Sequence, residues 1–147
     1  MLNQEGNRMT KIITAKELRV EFKSEWTSLT QIWLRNKKYI CPTLDELKLV
    51  IEQYPVETPV IAGVNECENF ALFLHADVKR HNVLNSTGLY NWAFGDFICK
   101  KDSIFGTGVH TACICLCKEG FVVVEPMENN KIITVLNEYK PFFINLM

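Results

Sequence analysis

An α+β domain, with helices packed on an antiparallel β-sheet, is the fold class this sequence predicts, on two observations. Helix-like apolar spacing and capping signals lie before Gly88, whereas aromatic and β-branched runs separated by turn residues follow it. Helices and strands in separate blocks mark an α+β arrangement rather than alternating βα units. The 147 residues suit one domain, with residues 1–10 read as a polar, flexible arm and 11–147 as the folded body. No repeat and no Pro/Gly/Ser-rich linker divides the chain.

In chain order, Trp26, Leu29, Ile32 and Trp33 are spaced for one face of a short helix between Ser24 and Asn36. Thr43 and Glu46 form a capping box: the Thr43 hydroxyl accepts from the Glu46 amide and the Glu46 carboxylate reaches back. That helix is expected to reach Gln53 and stop before Pro55. Pro55, Pro59 and Gly63 then make a loop, and the stretch from Asn65 to Val78 is expected to begin a third helix. Asn65 serves as its N-cap with Glu68 completing the box, and Phe70, Phe73, Leu74 and Val78, with Asp77 among them, form its core face. The expected strands are Tyr90 to Cys99, Val109 to Cys117, Phe121 to Glu125, Lys131 to Asn137 and Phe142 to Leu146.

Composition narrows the function classes. Sixteen basic and 17 acidic residues leave a net charge of -1 and no basic stripe, which argues against nucleic acid as the main partner. No apolar run matches a membrane span and the first ten residues lack a secretory pattern, so a cytoplasmic chain with six reduced cysteines is expected. Cys113, Cys115 and Cys117 alternate along one strand, a spacing that suits neither disulfides nor a recognised zinc site.

Cys67 falls in the first turn of the third helix, where unpaired amides and the helix dipole favour a thiolate. Glu66 and Glu68 oppose that charge, so a nucleophilic Cys67 needs a histidine partner. His75 and His81 lie roughly 12 and 21 Å along the same helix and cannot reach it. His110 begins a strand after the Gly106-Thr107-Gly108 loop and is the candidate general base. Parity supplies the third member. A four-residue loop from Cys117 to Gly120 sets His110 opposite Met127 and diagonal to Glu125, about 7–8 Å between backbones, whereas a two-residue loop is expected to separate them by roughly 13 Å.

With the strings CENFA (Cys67 to Ala71), GVHTA (Gly108 to Ala112) and VVEP (Val123 to Pro126), the order Cys, His, Glu resembles the papain-like/transglutaminase-like cysteine hydrolase superfamily. Most closely it resembles the C-terminal cysteine-protease domain of MOA-type fungal agglutinins and its bacterial and phage relatives. The resemblance covers roughly Ala15 to Phe143, although about fifteen residues carry it. It implies a papain-like fold and a thiol protease or other amide hydrolase acting on a peptide or protein, with Cys67, His110 and Glu125 as the catalytic triad. Asn65 is a candidate oxyanion donor and Trp92 a candidate groove residue. Calcium is the cofactor the resemblance suggests, with Glu68 and Asn69 as candidate ligands where its relatives carry aspartates. A transglutaminase-like acyl transferase and a catalytically inactive binding or effector protein on the same fold are the alternatives.

Overall fold

The computed structural model describes residues 10–56, 59–61, 66–85, 90–103 and 106–146. The chain opens with β1 (Lys11–Thr14), α1 (Ala15–Glu25), β2 (Gln31–Leu34), β3 (Lys38–Cys41), α2 (Leu44–Ile51) and α3 (Cys67–Asn85). It continues with β4 (Phe94–Ser103), β5 (Gly106–Cys117), β6 (Gly120–Glu125), the single 3-10 turn η1 (Pro126–Glu128), β7 (Lys131–Ile133) and β8 (Lys140–Leu146). The arm expected over residues 1–10 falls, apart from Thr10, outside the described residues.

Six strands form one sheet in the order β2-β8-β4-β5-β6-β7, and β1 with β3 forms a small second one. The large sheet is mixed, because β2 runs parallel to β8. This corrects the purely antiparallel sheet expected from the sequence. The helix expected between Ser24 and Asn36 is likewise not formed: α1 closes with the Trp26 amide on the Phe22 carbonyl, and Gln31 to Leu34 is a strand. Pairing to a strand more than a hundred residues away outweighs the local helical spacing, an instance of tertiary context overriding periodicity.

Helix starts follow local chemistry. Thr43 and Glu46 cap α2 reciprocally, at 3.1 Å from the Glu46 amide to the Thr43 hydroxyl and 2.7 Å from the Thr43 amide to the Glu46 carboxylate. Thr14 and Glu17 cap α1 in the same way. α3 runs on to Asn85, and Phe70, Leu74 and Val78 are buried on its packing face as expected, joined by His75 and Asn82, whereas Phe73 is 52% exposed.

β5 lies at the heart of the sheet, and its side chains alternate between two cores. Ala112, Ile114 and Leu116 join Leu18 and Phe22 of α1 on one face. Cys113, Cys115 and Cys117 meet Leu47 of α2 and Ala71, Leu74 and Val78 of α3 on the other. The strand edges are packed closely enough that a Cβ at Gly95 would lie 2.2 Å from the Asn145 carbonyl oxygen, so only glycine fits where β4 meets β8.

Burial pushes the Cys113 and Cys115 thiols well above the usual range, with the carboxylates of Asp96 and Glu125 adding to the effect on Cys113 and the neighbouring Cys117 to that on Cys115. The folded chain therefore retains protons that the unfolded chain releases above about pH 8.5. Their contribution to stability is complete below that pH and is lost as pH rises through it. Urea midpoints are expected to hold steady up to about pH 8 and then fall, with a shallower fall in Cys113→Ala relative to its own neutral value. A wild-type midpoint unchanged up to about pH 10 would contradict this assignment.

Candidate functional site

Of the expected triad, the structure joins His110 to Glu125. Their strands meet in the register Cys113↔Val124 and Leu116↔Phe121. Cys117 still pairs with Gly120, so only Lys118 and Glu119 remain in the turn. The pairing is nonetheless that of the four-residue loop, and the separation expected for a two-residue turn does not arise. The Gly106-Thr107-Gly108 segment is also strand rather than loop, since β5 begins at Gly106 opposite Ser103.

The His110 Nε2 lies 2.8 Å from Glu125 Oε2 and 3.0 Å from Oε1. Glu125 is 1% exposed, and the Tyr139 hydroxyl donates to its Oε1 at 2.6 Å. With Glu125 ionised, both neighbours donate to it, and the imidazole proton resides on Nε2. Burial and this hydrogen bond to Glu125 push the Tyr139 phenol far upward, so it remains a donor across the working pH range. Tyr139 carries no motif that marks it beforehand. It lies fourteen residues past Glu125, in the segment before β8, and only the folded chain brings the two together.

Cys67 opens α3, half-buried, as expected of a first-turn residue. Its Sγ donates to Glu68 Oε2 at 3.7 Å. Among the described residues no hydrogen bond links Cys67 to His110 or Glu125. The ladder supplies a reason. His110 pairs directly with Cys99, whose side chain belongs to the core on the α1 face, whereas α3 covers the opposite face. Cross-strand partners share a face, so the His110 side chain leaves the sheet on the α1 side, while Cys67 stands in the first turn of the helix that packs on the other.

The remaining candidates are dispersed. Asn65, expected as N-cap and oxyanion donor, lies outside the described residues. Trp92 bridges to Ile40 and lines a small cavity with His75, Val78 and Asn82, about 16 Å along α3 from Cys67 at the helical rise. Glu68 and Asn69 occupy the first turn of α3, and Glu68 accepts the Cys67 thiol. No cluster of three or more His, Cys, Asp or Glu groups that could hold a metal ion occurs among the described residues. A second polar pair escaped the sequence reading: His75 Nδ1 stands 2.6 Å from Asp96 Oδ1, joining α3 to β4, with Asn145 also donating to Asp96.

No family model and no curated protein matches the chain. Its fold is similar to that of the PSL1a-E64 complex, at a TM-score of 0.73 and 15% identity over 90% of this chain. It is similar also to the Polyporus squamosus lectin bound to the human-type influenza-binding epitope Neu5Aca2-6Galb1-4GlcNAc, at a TM-score of 0.72, 16% identity and 90% coverage. The chain spans about half the length of these proteins, 49% and 48% of their chains. This likeness to lectin structures corrects the expectation of a papain-like fold and of membership in the papain-like/transglutaminase-like superfamily, and with it the hydrolase and thiol-protease assignments. A peptide or protein substrate is likewise without support. Among the described residues no helix is long and apolar enough to cross a membrane.

The Tyr139→Phe variant leaves the buried Glu125 carboxylate short of a donor, at an expected cost of about 1–3 kcal/mol. Chemical denaturation of both proteins at neutral pH measures it. Equal stabilities would show that Tyr139 does not satisfy Glu125.

Proposed function

We propose that the chain is a non-catalytic carbohydrate-binding protein. The observation that carries the non-catalytic part is the hydrogen bonding of the thiol: Cys67 donates to Glu68, and among the described residues no hydrogen bond joins it to His110. A nucleophilic thiol needs the imidazole within hydrogen-bond reach, and among the described residues the hydrogen bond of the Cys67 thiol goes to Glu68. In this reading Glu125, Tyr139 and His110 act together as a polar brace between the end of β6, the segment before β8 and β5. Carbohydrate is the ligand class because the similar fold occurs in a lectin described with a bound sialylated epitope. Free thiols at all six cysteines fit a reducing, cytoplasmic setting for this binding protein.

A glycan array probed with the labelled chain tests the reading, followed by calorimetric titration of the strongest hits. Saturable binding to a defined set of glycans, unchanged in Cys67→Ala, is the expected result. No binding to any glycan, together with covalent attachment of E64 to Cys67 seen as a mass increase, would contradict it.

A further inference from the structure

On α3, Phe73 is 52% exposed and lines a cleft of about 350 Å³ whose walls also include Tyr54, Asp77, Arg80 and Pro126. A second cleft of about 410 Å³, lined by Lys48, Ile51, Glu52 and Asn129, adjoins it. Pro55 and Asn130 belong to both, so the two clefts form one groove crossed by a shared ridge. Each lies within the size range of ordinary small-molecule sites.

The ridge is held in place by the chain itself. The Asn130 amide donates to the Tyr54 carbonyl at 2.7 Å and to the Ile51 carbonyl at 3.4 Å, tying the turn after η1 to the end of α2. Asn129 and Asn130 both adopt left-handed backbone, at φ 55° and 56°, a conformation that asparagine tolerates better than most residues. The Tyr54 hydroxyl is tethered in turn to His81 Nδ1 at 3.2 Å. A groove fixed in this way needs little ordering when a ligand arrives.

Its chemistry is mixed in a specific manner. Phe73, Tyr54, Pro55 and Pro126 offer flat apolar surface, which suits the C–H face of a sugar ring. Asp77 supplies two acceptor oxygens and Arg80 a fork of donors one turn further along α3, which suits vicinal hydroxyls. At the other end Lys48 and Glu52 repeat the donor and acceptor one turn apart. The four charges cancel pairwise, so the groove favours an uncharged polyhydroxyl chain over a phosphate backbone or an acidic peptide.

Resting on the carbohydrate-binding reading above, we infer that this groove seats a short neutral oligosaccharide, one sugar ring in each cleft. The test uses the disaccharide Galb1-4GlcNAc, titrated into isotope-labelled full chain and followed by amide chemical shifts. Shifts concentrated at Phe73, Asp77, Arg80 and Asn130, and a tenfold or greater loss of affinity in both Phe73→Ala and Asp77→Asn, are expected. Both positions are at least partly solvent-exposed, and matching circular dichroism and melting temperature against wild type shows that the variants fold. If the glycan array is positive but the disaccharide shifts fall elsewhere, do not appear, or survive both substitutions, the groove assignment is overturned while the carbohydrate reading stands. An array with no binding removes both.

Discussion

Everything in this fold hangs on the alternation of side chains along β5. The strand is paired to β4 through ten residues and to β6 through five, so its register is fixed on both edges. With both edges fixed, each side chain is assigned to one of two cores: alanine, isoleucine and leucine toward α1, three cysteines toward α2 and α3. A slip of one residue would exchange the two sets and drive His110 to the opposite face. The compactness of cysteine explains its use beneath α3, where the Cys113 thiol approaches the Ala71 carbonyl at 3.3 Å.

The same alternation governs the polar site. Glu125 is paired with Lys131 at the end of β6 and turned toward the α1 core, where an isolated carboxylate would be costly to bury. Tyr139 and His110 remove that cost by donating to it from two different strands or their flanks. The constellation is thus explained as a satisfied buried acid. The thiol that a hydrolase would need belongs to a helix on the other side of the sheet, and it donates a hydrogen bond to its own first-turn neighbour Glu68.

How far the chain could be read in advance depended on the range of the interactions involved. The Thr43 capping box acts over three residues and marks the start of α2 in the sequence, and the Thr14–Glu17 box at the start of α1 is a signal of the same range. The later strands were legible because β-branched and aromatic runs between turns are a local pattern, and the His110 to Glu125 diagonal followed from one hairpin register. By contrast β2 and its parallel partner β8 are joined over more than a hundred residues, and no local signal marks that pairing. Tyr139 and the His75 to Asp96 pair were hidden for the same reason. The short strings around Cys67, His110 and Glu125 suggested a triad because they carry the right residue types in order, but order along the chain does not say which face of a sheet each side chain occupies.

The absence of a Cys67–His110 pair is the central claim, and the rate of Cys67 alkylation by iodoacetamide as a function of pH, in wild type and in His110→Ala, tests it most directly. The five other cysteines are buried, so labelling of the native chain reports on Cys67. The account predicts one ordinary thiol profile shared by both proteins. Rapid labelling near neutral pH that collapses in His110→Ala would contradict it, because only a paired thiolate and imidazolium behave in that way.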